Sequence, residues 1–256
     1  MKTIILAGGF GTRLSEYTNL IPKPMVIVGD DPILVHIMNH YSFYGYNNFI
    51  LALGYKASYI KDYFLKYSSI NTDFEIDLKN GNIKKLNTEP HKNWNITCID
   101  TGLSTMTGGR LKRLKDYIGN ERFFLTYGDG LANVDIEKLL KFHLSHGKMI
   151  TMTGVRPIAR FGELVIEDDL VVEFKEKPQM REGWINGGFF VIEPEFLNLI
   201  DDDETLLERE PLERAVKKAN LMVYKHEGFW QCMDSKRDHE NLEKLFLEGK
   251  LNFHEK

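Results

Sequence analysis

The chain has 256 residues, of which 43% are hydrophobic and 27% charged, and its formal net charge is −4 at pH 7. This balance is typical of a globular protein that folds without disulfides or structural metals, and it argues against a general nucleic-acid binder, which usually has a basic surface. Cys98 and Cys232 show no metal-ligand spacing or disulfide framework, and no apolar run suits a signal peptide or a bilayer span, so we expect a cytoplasmic protein with no nucleic-acid or membrane partner.

The first half of the chain alternates predicted strands and helices. Strands are predicted at 3–7, 49–53, 95–100 and 123–127, and helices at 32–44, 58–67, 108–117 and 135–146. Asn80-Gly81 suits a tight turn between two further strands at 73–79 and 83–87. The alternation predicts an α/β fold, in which a doubly wound, Rossmann-like, mostly parallel sheet carries helices on both faces.

The second half is richer in predicted strands. These lie at 149–155, 164–167, 171–175 and 189–192, followed by surface helices at 205–218 and 236–248. No internal repeat, low-complexity tract or linker interrupts the chain. We therefore expect one domain over residues 1–256, with a smaller β-rich region in its second half.

A glycine loop, Gly8-Gly9-Phe10-Gly11-Thr12-Arg13-Leu14, follows the first predicted strand. Glycines at such a place let backbone N–H groups approach phosphate oxygens closely. A dinucleotide-binding loop would need glycine in place of Leu14, and the chain has no Gly-Lys-Ser/Thr sequence for a Walker A loop. Arg13 and Lys23, which stands between two prolines, add a planar and a compact cation suited to phosphates.

The loop, Thr18 and Pro22-Lys23-Pro24 together resemble the signature of nucleoside-diphosphate-sugar pyrophosphorylases. The resemblance implies that residues 1–130 bind a nucleoside triphosphate and residues 131–256 bind its acceptor. It also implies that Arg13, Lys23 and Asp129 are catalytic. The nucleotide contacts implied in the first half are Leu6, Ala7, Gly8, Gly9, Gly11, Thr12, Arg13, Lys23 and Gly128.

Two aspartates are candidate metal ligands. Asp129 ends a predicted strand between two glycines, where open α/β sheets place ligands, and Asp234 follows 229–233 much further along the chain. Taken alone, the first fits a turn and the second a helix N-cap. The resemblance implies that both hold Mg²⁺, which proteins bind with one or two carboxylates plus substrate phosphates.

Residues 100–113 form a long loop that enters a basic helix. This block, together with segments spread over nearly the whole chain, is similar to the bacterial glucose-1-phosphate cytidylyltransferases. The similarity implies that Ser104, Gly109 and Arg110 contact the nucleotide and that the substrate is CTP. A guanidinium has only donors, so that of Arg110 suits the carbonyl and ring nitrogen of cytosine.

The resemblance implies that the acceptor is a phosphorylated small molecule and that Glu176, Lys177 and Asn186 bind it. Glu163, residues 179–182, Cys232 and Ser235 depart from the glucose enzymes. Glucose 1-phosphate, giving CDP-glucose, is the first expectation. L-glutamine phosphate, the acceptor of a relative in capsule phosphoramidate biosynthesis, stays open.

The predicted reaction transfers CMP from CTP to the acceptor phosphate and releases pyrophosphate. Two other classes of protein remain as alternatives. A non-catalytic nucleotide sensor is disfavoured because Arg13, Lys23, Asp129 and Asp234 are all present, and a Rossmann oxidoreductase is disfavoured by Leu14. Members of the family are often oligomers, so a homo-oligomer is expected.

Overall fold

The computed structural model describes residues 1–86, 92–157, 163–167, 170–175 and 183–253. Its strands, in chain order, are β1 Lys2–Leu6, β2 Ile27–Val28, β3 Asp31–Pro32, β4 Asn48–Leu53, β5 Phe74–Asp77, β6 Asn82–Lys85, β7 Asn95–Asp100, β8 Phe123–Tyr127, β9 Gly130–Ala132, β10 Ile150–Val155, β11 Glu163–Glu167, β12 Leu170–Lys175, β13 Ile185–Asn186, β14 Phe190–Ile192, β15 Leu221–His226 and β16 Trp230–Cys232. Its α-helices are α1 Ser15–Thr18, α2 Ile33–Phe43, α3 Ala57–Ile70, α4 Thr107–Arg113, α5 Lys115–Ile118, α6 Ile136–His146, α7 Glu210–Lys217 and α8 Lys236–Leu247. Short 3₁₀ helices cover Thr12–Leu14, Lys23–Met25 and Pro194–Leu199.

One eight-stranded sheet forms the centre of the molecule. Its order is β13-β10-β14-β8-β1-β4-β7, with β15 paired to β10. β1 lies between β4 and β8 and is parallel to both, and β7 extends this parallel half. β14 is antiparallel to β8 and β10, whereas β15 is parallel to β10. The α/β, mostly parallel, Rossmann-like sheet predicted from the alternating elements is thus confirmed.

Both faces of the sheet are covered by buried apolar side chains. Ile5 and Phe124 join one core cluster with residues of α2, α6 and α8, while Ile4 and Leu125 join another with residues of α4 and α7. Consecutive strand residues point to opposite faces, so the two clusters lie on opposite sides of the sheet. Burial on both faces explains why the parallel strands are continuous hydrophobic runs.

Several element boundaries differ from the prediction. The predicted helix 205–218 begins only at Glu210, because Thr205 O accepts hydrogen bonds from the N–H groups of Gly108 and Gly109 instead. The predicted helix 108–117 is divided at Leu114 into α4 and α5. The two short strands β9 and β16 and the parallel strand β15 were not predicted.

The segment that contains β13 and β14 is interrupted between the two strands. β13 and β14 both pair antiparallel with β10, and the regular register is broken between them at 187–189, although Gly187 N still donates to Thr153 O at 2.9 Å. Gly188 and Phe189 there have φ values of 76° and 49°. The buried Phe189 ring stacks on Tyr41, with a centroid distance of 5.8 Å, and this packing holds the break in place.

Candidate active site

The glycine loop leaves β1 at the carboxyl edge of the parallel strands. Its start is fixed by two backbone bonds, from Ala7 N to Ala52 O and from Tyr55 N to Gly8 O, each 3.0 Å long. Gly11 has a left-handed backbone with φ 63°, and a Cβ there would stand 2.8 Å from Thr18 Cγ2. Thr18 Oγ1 also donates to Gly11 O at 3.1 Å. The signature residues Gly11 and Thr18 therefore shape the loop by contacting each other.

Four charged side chains from distant parts of the chain meet beside this loop. Lys23 Nζ lies 2.6 Å from Asp129 Oδ2 and 2.6 Å from Asp234 Oδ1, and Arg13 Nη1 lies 2.6 Å from Asp234 Oδ2. We call these residues the charge cluster. Its formal charges cancel.

Lys23 is the central member of the charge cluster and is only 8% exposed. Burial lowers the pKa of its ammonium group, but the two carboxylates outweigh burial and raise the pKa above its ordinary value. Burial raises the pKa of Asp234, and here Lys23 and Arg13 outweigh it and lower the pKa. Both shifts favour the charged forms.

The pairing of β9 with β16 brings the two aspartates together. Gly130 pairs with Cys232 in antiparallel register, and Met233 N donates to Asp129 O at 2.9 Å. Asp129 and Asp234 flank this two-stranded ladder, so its register sets their separation. The short apolar run before Asp234 indicated no strand by itself, because its partner lies a hundred residues earlier.

Asp234 precedes α8 and is not its N-cap. The N-cap is Ser235, which forms a reciprocal capping box with Asp238. Asp238 Oδ2 accepts from Asp234 N at 3.1 Å and from Ser235 N at 2.8 Å. The helix terminus therefore holds the Asp234 backbone while leaving its carboxylate to the charge cluster.

A cavity of approximately 390 Å³ lies between the glycine loop and α4. Twelve of the predicted site residues line it: Leu6, Ala7, Gly8, Gly9, Gly11, Thr12, Arg13, Lys23, Ser104, Arg110, Gly128 and Asp129. Residues not predicted also line it, among them Phe10, Thr107, Tyr127 and Leu206. Leu206 comes from the second half of the chain, and no local sequence pattern pointed to it.

Arg110 stands at the back of the cavity and is 4% exposed. Its Nη1 donates to Leu53 O, Thr101 Oγ1 and Gly102 O at 3.0, 2.9 and 2.7 Å, and its Nη2 donates to Leu103 O at 3.2 Å. Burial lowers the pKa of the guanidinium below its ordinary value. Of its five N–H groups, that on Nε and one on Nη2 have no hydrogen-bond acceptor within the described part of the chain.

Gly109 does not line this cavity. A Cβ at Gly109 would lie 2.5 Å from Asp203 Cα, and one at Gly108 would lie 2.7 Å from Thr205 O. The two glycines thus allow the segment 203–207 to pack against α4. The geometry gives Gly109 a packing role, and its nucleotide contact stays a prediction.

The predicted acceptor residues are placed only in part. Asn186 Nδ2 donates to Tyr127 Oη at 3.1 Å, and Asn186 Oδ1 accepts from Gly188 N at 2.9 Å. Since Tyr127 lines the cavity, Asn186 lies directly behind its wall. Glu176 and Lys177 lie outside the described residues.

The charge cluster offers two carboxylates to a metal. Within the ranges that the structure describes, no group of three or more His, Cys, Asp or Glu side chains is arranged to hold one. Asp129 and Asp234 nevertheless converge on a single cation, the ammonium group of Lys23. Two carboxylates, which are hard oxygen donors, next to a cavity lined by the glycine loop fit Mg²⁺ better than zinc.

Membrane insertion through a helix finds no support in the described part of the chain, where no helix is both long and apolar enough to span a bilayer.

The fold and the site together define a nucleotide-binding α/β protein with paired carboxylates at the carboxyl edge of its sheet. The nucleotidyl transferase family model matches residues 2–234. Two curated relatives, both named glucose-1-phosphate cytidylyltransferase and found in Salmonella typhi and Salmonella typhimurium, are each 47% identical over 98% of this chain and 97% of their own. The chain belongs to the nucleotidyl transferase family and is a nucleotidyltransferase.

Solved structures of related proteins share the fold. HddC from Yersinia pseudotuberculosis, complexed with GMP-PN, has a TM-score of 0.69 and 25% identity over 96% of this chain and 99% of its own. An apo UDP-glucose pyrophosphorylase has a TM-score of 0.70 and 14% identity over 97% of this chain and 98% of its own. At 14% identity, the second similarity concerns the fold alone.

Proposed function

We propose that this enzyme transfers CMP from CTP to glucose 1-phosphate, giving CDP-glucose and pyrophosphate. The observation that carries the proposal is the charge cluster, in which Lys23 binds both Asp129 and Asp234 beside a glycine loop and a cavity of approximately 390 Å³. The full-length similarity to proteins named glucose-1-phosphate cytidylyltransferase supports the choice of both substrates.

The chemistry needs charge neutralisation and alignment more than a general base. An oxygen of the acceptor phosphate, already anionic, attacks the α-phosphorus of CTP, and the bond from that phosphorus to the pyrophosphate oxygen breaks. Two anions must approach each other, so fixed cations and positioning lower the barrier. Arg13 would neutralise the departing pyrophosphate and Lys23 the reacting phosphates. Lys177, which we assign to the acceptor phosphate, lies outside the described residues.

We assign Mg²⁺ to Asp129 and Asp234. When bound, it supplies Lewis-acid stabilisation of charge on the phosphates. Phosphate oxygens would replace the carboxylates as partners of Arg13 and Lys23, and this exchange frees the carboxylates for the metal. Until substrate binds, the charge cluster would thus neutralise its own two half-buried carboxylates.

Cytosine would be read by Arg110. Its two remaining N–H groups match the carbonyl oxygen and ring nitrogen of the base, which are both acceptors. The four acceptors around the guanidinium hold it in one orientation.

Further parts of the proposal are Asn186 as an acceptor ligand, a single domain over 1–256, a homo-oligomer and a cytoplasmic location.

The test is pyrophosphate release with CTP and Mg²⁺, with glucose 1-phosphate and L-glutamine phosphate offered in parallel. Turnover with glucose 1-phosphate supports the proposal, and UTP and GTP in place of CTP should give turnover at least about tenfold slower. Turnover with L-glutamine phosphate alone would keep the reaction but replace the acceptor. No pyrophosphate release with either acceptor would reject the proposed acceptor class.

A further inference from the structure

Glu208 joins two walls of the nucleotide cavity without lining the cavity itself. Its Oε2 accepts a hydrogen bond from Thr107 Oγ1 and its Oε1 accepts one from Tyr127 Oη, both 2.7 Å long. Thr107 begins α4, beside the loop assigned to the base, and Tyr127 ends β8, next to Gly128 and Asp129. One exposed carboxylate thus ties the nucleotide side of the cavity to the strand that delivers a catalytic aspartate.

The same carboxylate sets the direction of a hydrogen-bond chain. A carboxylate only accepts, so Tyr127 must give its single proton to Glu208. The phenol oxygen can then only accept, and Asn186 must turn its NH₂ group toward it, as the 3.1 Å contact shows. Asn186 Oδ1 meanwhile accepts from Gly188 N. The orientation of the Asn186 amide is therefore set from two sides, by the phenol that Glu208 orients and by the backbone N–H of Gly188, which can only donate.

One N–H of Asn186 remains after these bonds, with no acceptor in the described part of the chain. An amide fixed in this way presents a donor, and it selects a substrate group that has a lone pair, such as a hydroxyl or carboxylate oxygen. If the amide could rotate, it would present its carbonyl equally well and lose this selectivity.

We propose that Glu208 is a positioning residue for the acceptor substrate, which it acts on through Tyr127 and Asn186. The inference rests on the proposed function, since it takes Asn186 as an acceptor ligand. It predicts that Glu208 affects acceptor binding more than CTP binding, although Glu208 does not itself line the cavity and reaches it only through its hydrogen bonds to Thr107 and Tyr127.

The first experiment compares Glu208→Gln with Glu204→Gln in steady-state kinetics with CTP and glucose 1-phosphate. Glutamine keeps the size of Glu208, but its NH₂ group only donates and replaces one of the two oxygens that accept hydrogen bonds from Thr107 and Tyr127. Glu204 is exposed in the same segment, and its carboxylate has no hydrogen-bond partner in the described part of the chain, so it controls for charge. Glu208→Gln should raise the KM for glucose 1-phosphate about fivefold to thirtyfold and leave the KM for CTP within about twofold. Glu204→Gln should change neither.

The second experiment repeats Glu208→Gln in a Tyr127→Phe background. If the effect travels through the phenol hydroxyl, Glu208→Gln should then change the KM for glucose 1-phosphate by less than about twofold. An undiminished effect would overturn the inference, because the carboxylate would then act through the packing of α4. Equal effects of the two glutamate variants would overturn it as well.

The two proposals fail in different ways. An active wild-type enzyme with an unaffected Glu208→Gln variant rejects only the positioning role. A wild-type enzyme without CTP-dependent pyrophosphate release rejects the proposed function, and the positioning role falls with it.

Discussion

Lys23 is the residue on which the site converges, because both carboxylates are 2.6 Å from its ammonium group. Lys23 is buried and Asp234 half-buried, and their pairing favours the charged form of both groups. Removing one member leaves the others without compensation, which costs more than losing an exposed ion pair. Single substitutions here should affect chemistry far more than folding, since the cluster lies at the edge of the sheet and outside both core clusters.

Asp129→Asn should lower kcat at least about a hundredfold, because it removes a preorganised carboxylate beside the reacting phosphates. That carboxylate is also one of the two proposed ligands of Mg²⁺. The measurement is the rate of pyrophosphate release with saturating CTP and glucose 1-phosphate. Asp30→Asn, which removes an exposed carboxylate elsewhere, is the control and should keep wild-type turnover. Wild-type turnover by Asp129→Asn would remove Asp129 from the catalytic residues.

Gly54 is a second residue with a specific consequence. A Cβ at this position would stand 2.3 Å from Arg110 Nη1 and 2.7 Å from Gly8 O. Gly54→Ala should therefore push the guanidinium out of place and raise the KM for CTP about tenfold, as overpacking of about 1–3 kcal/mol allows. The KM for the acceptor, measured in the same assay, should stay within about twofold. An unchanged KM for CTP would show that Arg110 does not position the nucleotide.

Among the elements, α8 has the clearest link to the site. Its capping box holds the backbone of Asp234, so helix stability and carboxylate position are coupled. Ser235, one of the residues that depart from the glucose enzymes, is the N-cap of this helix and so has a structural role beside the site.

Ser235→Ala should lower the free energy of unfolding by about 1 kcal/mol, because the N-cap is lost, and reduce Tm by about 2–4 °C. Thermal unfolding followed by circular dichroism measures both. Ser235→Thr retains a capping hydroxyl and should match the wild-type Tm. A destabilised Ser235→Thr variant would mean that packing, and not capping, fixes this terminus.

Helix α6 is joined to the sheet by a buried polar cluster. His143 Nδ1 lies 2.8 Å from Thr151 Oγ1 and its Nε2 lies 3.2 Å from Glu193 Oε1, while His146 Nε2 lies 2.8 Å from the same Thr151 oxygen. Burial lowers the pKa of His143 more than Glu193 raises it, and burial also lowers the pKa of His146. Both imidazoles are therefore neutral in the folded protein near neutral pH.

The stability of the protein should fall as the pH drops below about 6.5. Above that value the histidines are neutral in both states and contribute no pH dependence, whereas below it the unfolded chain takes up protons that the folded chain resists. Tm should be flat from about pH 7 to 8 and decline toward pH 5.5. His143→Gln should show a shallower decline, and an unchanged slope would assign the effect to other groups.

For the whole molecule, the decisive fact is that the site joins residues far apart in sequence. Lys23 and Asp234 are 211 positions apart, yet 2.6 Å separates their charged atoms. A ligand that bridges them stabilises the folded state as a unit, through mass action.

CTP and Mg²⁺ together should raise Tm by about 5–10 °C when CTP is at roughly a hundred times its Kd. Mg²⁺ alone should have little effect, because Lys23 and Arg13 already neutralise the carboxylates. Differential scanning fluorimetry with and without EDTA measures the difference. A Tm shift that EDTA leaves intact would contradict metal binding by Asp129 and Asp234.

The sequence predicted most of the sheet and one wall of the site, and the reasons are local. Buried parallel strands are short apolar runs ended by glycines, and the glycine loop has a dense signature around Arg13. The pairing of β9 with β16 could not be predicted, because each strand has three residues and its partner is remote. For the same reason no local pattern pointed to Leu206 or Glu208, whose contacts depend on segment 203–207 packing against α4.

The positions of the charge-cluster residues along the chain also affect the order in which the site forms during synthesis. A nascent chain that folds from its N-terminus first makes β1, β4, β7 and β8, with the glycine loop, Lys23 and Asp129. β16 and Asp234 emerge about a hundred residues later, after β10, β14 and β15. Biosynthesis therefore completes the nucleotide-facing half first and closes the reactive centre last, so a shortened translation product ending before Asp234 has one carboxylate where the finished enzyme has two.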